Sequence, residues 1–95
     1  MPLLTPLELD LALRDLPGWE VEGGQLRKIF EFDTYTKGLL FVVVLGFFAD
    51  KKDHHPDILV TWRKVMVSFT THSEGGITER DVAMAKICEE LYKVP

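Results

Sequence analysis

All three histidines of this chain lie within 19 residues, and two carboxylates flank them. His54 and His55 are adjacent, His72 follows, and Asp50 and Asp81 stand on either side of the group. Histidine gains and loses a proton near neutral pH, because the ordinary pKa of its side chain is about 6.5. Imidazole and carboxylate groups serve as general acids and bases in enzymes. The segment therefore predicts an acid/base site, provided that the fold brings these side chains together.

Hydrophobic periodicity and turn residues predict elements in the order α-β-β-α-β-β-α. Apolar residues spaced three and four apart indicate helices, and alternation indicates strands. The predicted helices cover residues 6–16, 33–51 and 79 onward, and the predicted strands cover residues 19–22, 25–32, 57–63 and 65–72. Hairpins favour an antiparallel sheet with the helices packed on one face. We therefore expect an α+β fold with a four-stranded antiparallel sheet and three helices, as a single domain over residues 1–95.

The ends of several elements carry specific signals. Thr5 and Thr78 each precede an acidic residue by three positions, which is the spacing of a capping box at a helix N-terminus. For the last helix that acidic residue is Asp81, so a role as a helix cap is as well supported as a catalytic one. Gly23-Gly24 is typical of a two-residue hairpin turn.

The second predicted hairpin would bring two of the histidines together. With Arg63-Lys64 as a two-residue turn, the numbers of paired residues sum to 127, and His55 lies opposite His72. Residues opposed in this way hold their Cβ atoms about 4.5–5.5 Å apart. Side chains alternate along a strand, so both imidazoles would lie on the sheet face opposite the apolar residues.

The second predicted helix is apolar on nearly every side, and Asp33 is a candidate for its N-cap. One small sheet cannot cover all of its large apolar side chains at 3.6 residues per turn. These side chains are Leu39, Leu40, Phe41, Val43, Leu45, Phe47 and Phe48. We expect some of them to meet their copies in a symmetric homodimer or homotetramer.

Composition excludes several classes of protein. The hydrophobic share is 46%, which is too high for a disordered chain. The longest apolar run, 38–49, is shorter than the roughly 20 residues of a membrane-spanning helix, so no membrane partner is expected. The net charge of −4 disfavours direct binding to nucleic acid. A single cysteine, Cys88, and an N-terminus without a basic segment indicate a cytoplasmic location.

Each singled-out residue also has a structural explanation. Trp62 is expected in the core, and Cys88 as a small buried apolar residue of the last helix.

Three imidazoles and a carboxylate could also hold zinc. The adjacent pair His54-His55 diverges in an extended chain, however, and no His-x-His or His-x-x-x-His spacing is present. The sequence therefore favours a site without a metal or another cofactor.

The spacing of these residues resembles a known signature, that of the pterin-4a-carbinolamine dehydratases. The matching pattern is Asp50-x3-His54-His55-Pro56-x5-Trp62-x9-His72-x8-Asp81. The resemblance implies an α+β fold with four antiparallel strands and three helices, assembled into dimers or tetramers. It implies dehydration of 4a-hydroxytetrahydropterin to quinonoid dihydropterin, in recycling the cofactor of aromatic amino acid hydroxylases. Animal members of the family also act as a dimerisation cofactor for a homeodomain transcription factor.

The resemblance also implies roles for individual residues. The catalytic set would be His54, His55, His72 and Asp81. The residues that bind or line the pterin would be Asp50, Asp53, Thr70 and Thr71. The chain departs from the common pattern in three places: Asp50 stands in place of glutamate, the pair Asp57-Ile58 in place of an acidic-Trp pair, and Thr70 in place of serine. We expect His54 and His72 to transfer protons, His55 to bind or assist, and the carboxylates of Asp50 and Asp81 to orient imidazoles or contact the ring.

Overall fold

A computed structural model describes residues 2–94 of the chain. Its elements are α1 (Pro6–Arg14), β1 (Glu20–Glu22), β2 (Gln25–Glu31), α2 (Tyr35–Lys52), β3 (Asp57–Val60), β4 (Lys64–Phe69), a 3-10 helix (His72–Glu74) and α3 (Glu79–Lys93). The four strands form one antiparallel sheet in the order β1-β2-β4-β3. The predicted α+β class and the order α-β-β-α-β-β-α are confirmed. The predicted element ends differ from the observed ones by at most three residues.

The helix caps and the first turn form as the sequence indicates. Thr5 and Thr78 each close a capping box, the latter with Asp81. Gly23 and Gly24 both adopt positive φ, at 58° and 76°, and they join β1 to β2 as a two-residue turn. Positive φ at both central positions is the geometry that glycine tolerates best. These local predictions hold because they depend only on neighbouring residues.

The core lies between one face of the sheet and the helices. Alternate residues of the two central strands point into it and are almost inaccessible to solvent: Leu26, Phe30, Val65, Val67 and Phe69. Helices α2 and α3 contact each other and these strands. The catalytic candidates lie where this layer ends, near the C-terminus of α2, the N-terminus of α3 and the end of β4.

Helix α2 buries only one side in the single chain. Gly38, Phe41, Leu45 and Ala49 are buried against the sheet. The opposite side carries a stripe of exposed apolar side chains, here called the α2 stripe: Leu40, Val43, Val44 and Phe47. Phe47 is 71% exposed. The expectation that one sheet cannot cover this helix therefore agrees with the burial pattern.

The N-cap predicted for α2 is wrong by one residue. Thr34 caps the helix, and its side chain accepts a hydrogen bond from the backbone N–H of Lys37 at 3.2 Å. Asp33 instead forms an exposed ion pair with the Lys37 ammonium at 3.1 Å. The hydrogen bond from that ammonium lowers the pKa of the Asp33 carboxyl. Both residue types cap helices well, so the preference of residues for this position does not separate Asp33 from the adjacent Thr34.

The predicted two-residue turn at Arg63-Lys64 is wrong. Val60 pairs with Val65, and the loop between β3 and β4 covers residues 61–63. Lys64 cannot take part in the turn because it belongs to β4, where it also pairs with β2. Pairing with β2, which the sequence of the β3–β4 hairpin does not reveal, thus sets where β4 begins.

The prediction that His55 lies opposite His72 is wrong for the same reason. His55 precedes β3, and His72 lies beyond the end of β4, in the 3-10 helix. The observed register differs from the predicted one by two residues. A shift of two keeps every side chain on its original face. The predicted apolar face therefore remains on the core side, and Ile58 lies opposite Val67 in place of Phe69.

Trp62 is not a core residue, contrary to the prediction. It lies in the β3–β4 loop with 71% of its surface exposed, and the Arg63 guanidinium lies 4.4 Å from its ring centre. The buried tryptophan is Trp19, which precedes β1 and packs on Phe30 and Phe69. The loop position of Trp62 follows from the shorter β3 strand.

Candidate active site

His54 and Asp81 form a buried pair at the centre of the candidate site. The Nε2 atom of His54 lies 2.6 Å from Oδ1 of Asp81. His54 is 8% exposed and Asp81 is fully buried. The imidazole stacks on the Phe69 ring, with ring centres 6.2 Å apart and an angle of 14° between the planes. A buried carboxylate beside an imidazole is an arrangement suited to general acid/base chemistry.

The end of α2 turns His54 into the interior. Asp53 adopts the left-handed conformation, with φ at 51°, a region in which aspartate is enriched among non-glycine residues. The next N–H, that of His54, then donates back to the carbonyl of Ala49 at 3.1 Å, which is the closing bond of a Schellman motif. The Arg80 guanidinium donates to the Asp53 carbonyl at 2.7 Å. Because of this helix end, the side chain of His54 lies in the interior while that of His55 lies at the surface.

The Asp81 carboxylate is held on both of its oxygens. Oδ1 contacts His54, while Oδ2 accepts the backbone N–H of Thr78 and the hydroxyl of Thr71, each at 2.8 Å. The bond from Thr78 belongs to the capping box of α3. The helix cap and the contact with the imidazole thus use different oxygens of one side chain. The capping role and the proposed catalytic role of Asp81 are therefore compatible.

His55 and Asp50 form a second pair, at the surface. Nε2 of His55 lies 2.8 Å from Oδ1 of Asp50. The two side chains are 56% and 76% exposed. A shallow cavity of about 360 Å³ lies beside them and continues onto the α2 stripe through Val43 and Phe47. Such an exposed pair can orient a ring or bind a ligand, but solvent screens its charges.

His72 lies next to the buried network without joining it. Thr71, its neighbour in the chain, is buried and bonded to Asp81. The His72 side chain is exposed. The only imidazole hydrogen bonds in the described residues are those of His54 and His55. Of the three histidines, the structure thus buries one, pairs one at the surface, and leaves one exposed with a free ring.

The substrate-lining candidates lie in two different environments. Thr70 is half-buried, and its hydroxyl donates to the carbonyl of Gly24 in the β1–β2 turn at 3.1 Å. Thr71 is 3% exposed, and its hydroxyl lies inside the Asp81 network. Asp53 is exposed beside His54. Thr71 thus belongs to the buried network, whereas Asp53 and Thr70 keep surface that a ligand could contact.

The sequence indicates Thr78 only as a helix cap and suggests no part in the site for Phe69 or Arg80. Each contacts a site residue: Phe69 the His54 ring, Arg80 the Asp53 backbone, and Thr78 both Thr71 and Asp81. The Gly75-Gly76 pair was the available signal for the contact between Thr71 and Thr78, because glycines of this kind mark a reversal of the chain. Its turn brings Thr71 back beside Thr78, closed by a bond from the Thr71 N–H to the Gly76 carbonyl at 2.9 Å.

Further features of the described residues bear on the chemistry. Between residues 2 and 94, no three histidine, cysteine, aspartate or glutamate side chains lie close enough together to hold a metal ion. Burial raises the pKa of the Cys88 thiol to about 12, so this thiol stays protonated at neutral pH and is a poor nucleophile. None of the helices in this part of the chain is long and apolar enough to cross a membrane.

These features describe an α+β protein with a candidate acid/base site: a buried histidine–aspartate pair with two further histidines at the surface. Comparison with known proteins identifies the family. The family model described as "Pterin 4 alpha carbinolamine dehydratase" matches residues 2–91. The chain belongs to the pterin-4a-carbinolamine dehydratase family, as its sequence signature indicated.

Individual relatives support this assignment along nearly the whole chain. A Mycolicibacterium smegmatis protein named "Putative pterin-4-alpha-carbinolamine dehydratase" is 46% identical over 94 residues, covering 99% of this chain and 97% of its own. A protein of the same name from Metallosphaera sedula is 40% identical and covers 99% and 98%.

Solved structures agree with the fold. A transcriptional coactivator/pterin dehydratase from Brucella melitensis superposes with a TM-score of 0.90 at 35% identity, over 95% of this chain and 98% of its own. A pterin dehydratase-like protein identified as a RuBisCO assembly factor in the alpha-carboxysome superposes with a TM-score of 0.67 at 19% identity, over 81% and 89%. The second likeness concerns the fold alone.

Proposed function

We propose that this protein dehydrates 4a-hydroxytetrahydropterin to quinonoid dihydropterin and water, by histidine acid/base catalysis. The observation that carries the proposal is the buried His54–Asp81 pair at 2.6 Å. Burying a carboxylate is costly unless it is bonded on all sides. Capping of α3 uses Oδ2 of Asp81 alone, so the bond of Oδ1 to the buried imidazole is the feature that supports catalysis.

The reaction needs two proton transfers and little else. The lone pair of the ring nitrogen next to C4a expels the hydroxyl group, whose oxygen is protonated as the C4a–O bond breaks. A base removes a proton from the ring, so that the products are the quinonoid pterin and water. Each positioned acid or base contributes typically 10²–10⁴-fold to the rate. The protein therefore requires two groups of suitable proton affinity near the substrate.

We assign proton transfer to His54 and His72. Asp81 orients His54 through the bond to Nε2, and the free ring of His72 acts from the exposed side. His55, oriented by Asp50, binds or assists. Asp53 and Thr70 line the pterin. Recycling of the cofactor of an aromatic amino acid hydroxylase, in a reducing cytoplasm, is the setting that we propose for this activity.

A second candidate function is a binding module that recognises a protein partner without turnover. The relatives of this fold include the coactivator from Brucella and the RuBisCO assembly factor, and the exposed α2 stripe offers an apolar surface. This role would not need the histidines. Substitution of the histidines therefore separates the two functions. Loss of dehydration would support the enzyme, whereas partner binding that persists would support the binding module.

The proposed activity is tested by a dehydration assay with purified protein. We expect the protein to accelerate dehydration of a 4a-hydroxytetrahydropterin, followed by its absorbance, with no metal added and with a chelator present. The acid/base groups are all side chains of this chain, so the chelator should leave the rate unchanged. An activity that the chelator abolishes and zinc restores would contradict this mechanism. No acceleration would favour the binding module.

We also propose that the protein is a homodimer or homotetramer assembled through the α2 stripe. Leu40 and Val43 of the stripe are 60% and 55% exposed in the single chain. Soluble monomers rarely expose a contiguous apolar patch of this kind. A two-fold interface between copies would cover it.

A charge placed in the stripe should break this assembly. Leu40→Glu would bury a carboxylate between apolar surfaces, so we expect sedimentation equilibrium at micromolar concentration to show a smaller species than the wild type. The matched control is Leu7→Glu on α1, where the leucine is 66% exposed and the mass should not change. A wild-type protein that sediments as a monomer would contradict the proposed assembly.

A further inference from the structure

The hydroxyl groups of Thr71 and Thr78 form a chain of hydrogen bonds that ends on Asp81. The N–H of Arg80 donates to Oγ1 of Thr78 at 3.2 Å. Oγ1 of Thr78 lies 2.8 Å from Oγ1 of Thr71, and Oγ1 of Thr71 lies 2.8 Å from Oδ2 of Asp81. The three side chains that these hydrogen bonds join are almost fully buried, with exposures of 3% for Thr71 and 0% for Thr78 and Asp81.

The chemistry of the groups fixes the direction of every bond in the chain. A hydroxyl has a single hydrogen to donate, and an ionised carboxylate only accepts. The Thr71 hydrogen must therefore point to Asp81, and the Thr78 hydrogen must point to Thr71. The Thr78 oxygen in turn accepts the N–H of Arg80. The donors thus all point towards the carboxylate.

This direction determines where the proton of the His54–Asp81 pair resides. Oδ2 of Asp81 accepts two donors, the Thr71 hydroxyl and the Thr78 N–H. A proton shared with the imidazole can therefore lie only between Oδ1 and Nε2 of His54. An imidazole is ordinarily a stronger base than a carboxylate. The proton belongs to the nitrogen, so the neutral His54 ring is the Nε2–H tautomer.

The other ring nitrogen is then the one that can exchange protons. Nδ1 of His54 has no hydrogen-bond partner among the described residues, where only Nε2 is bonded. No fully buried side-chain nitrogen or oxygen in residues 2–94 lacks a partner. Nδ1 therefore keeps contact with the solvent side of the site, with its lone pair free.

We propose that Thr71 is a positioning residue of the site, whose hydroxyl holds Asp81 so that His54 carries its proton on Nε2 and presents a free Nδ1 to the substrate. This inference rests on the proposed function for the identity of the substrate, but not for the tautomer. It differs from the role that the family signature implies for Thr71, which is to line the pterin. The Thr71 hydroxyl donates to Asp81 and accepts from Thr78, and its side chain is buried away from a ligand.

The test replaces the hydroxyl while keeping the shape of the side chain. Thr71→Val removes the donor to Asp81, and the extended backbone at this position, with φ −99° and ψ 96°, suits a β-branched residue. Thr71→Ser restores the hydroxyl. Thr61→Val is the matched control, because Thr61 is exposed in the β3–β4 loop and its hydroxyl bonds only to the Lys64 carbonyl.

Nitrogen-15 NMR of the imidazoles reads the tautomer directly, without any substrate. We expect the wild type, Thr71→Ser and Thr61→Val to show His54 protonated on Nε2 in its neutral form. In Thr71→Val we expect a mixture of both tautomers, because a carboxylate held on Oδ2 only by the Thr78 N–H can turn Oδ1 away from Nε2 of His54. A wild-type His54 protonated on Nδ1 would overturn the proposal by itself, even if Thr71→Val failed to fold. An unmixed Nε2–H tautomer in a folded Thr71→Val protein would also overturn it.

Kinetics separate positioning from substrate contact. A positioning role predicts that Thr71→Val lowers kcat about 10-fold or more and changes KM less than about twofold, with recovery in Thr71→Ser. A rise in KM at unchanged kcat would mean that Thr71 contacts the pterin, and would overturn the proposal. If the wild type has no dehydratase activity but the tautomer responds to Thr71→Val as expected, the proposed function fails while the positioning role stands.

Discussion

Asp81→Asn is expected to lower the turnover number of dehydration by about 10²- to 10⁴-fold. The amide oxygen can keep the two donors that Oδ2 now accepts, from Thr71 and Thr78. The amide NH₂ must then face Nε2 of His54, where Oδ1 now lies at 2.6 Å. Two donors cannot face each other, so the imidazole must move its proton to Nδ1. The nitrogen that the mechanism needs free would then be protonated.

The stability of this variant must be measured beside its rate, because Asp81 also caps α3. We expect the free energy of unfolding in urea to fall by about 1–3 kcal/mol, since charge-assisted bonds and a cap are weakened together. Glu79→Gln is the matched control. It removes an exposed carboxylate from the same first helical turn and should leave the turnover number within about twofold. A folded Asp81→Asn protein with wild-type turnover would refute the orienting role.

His54→Ala and His72→Ala are each expected to lower turnover by about 10²-fold or more, the effect of losing a general acid or base. The structure predicts different costs in stability. His54 is buried and bonded to a buried carboxylate, so its loss should cost about 1–3 kcal/mol. The exposed His72 should be removable within about 0.5 kcal/mol. The rate effect at His72 is therefore the cleaner measurement.

His55→Ala provides the matched control for an exposed imidazole. His55 bonds to Asp50 at the surface, and its loss should affect substrate binding or turnover less than the loss of His72. Steady-state kinetics and urea unfolding of the three variants test these assignments. Wild-type rates in both His54→Ala and His72→Ala would show that proton transfer is carried by other groups. Equal losses in all three variants would remove the distinction drawn between His55 and the other two.

The order of the elements could be predicted from the sequence because its signals are local. The Gly23-Gly24 turn, the capping boxes at Thr5 and Thr78, and the apolar alternation of β4 depend on residues close in the chain. The local signals failed at a helix cap, where two adjacent residues were equally suitable, and at the start of a strand, which a partner distant in the sequence determines. Thr34 and Asp33 were equally good caps, and β2 determined where β4 begins. The register error followed directly from the second case.

The sequence by itself determined which residue types make up the candidate site and to which family the chain belongs, because three histidines and two carboxylates at fixed spacings form a specific signature. Only the tertiary structure decided which of these side chains are buried and which are exposed. The left-handed turn at Asp53 sends His54 inward and leaves His55 outside. The Gly75-Gly76 reversal brings Thr71 against Thr78, and so holds Asp81 in one orientation. These contacts join residues 7 to 27 positions apart in the chain, and no local pattern encodes the direction in which such side chains meet.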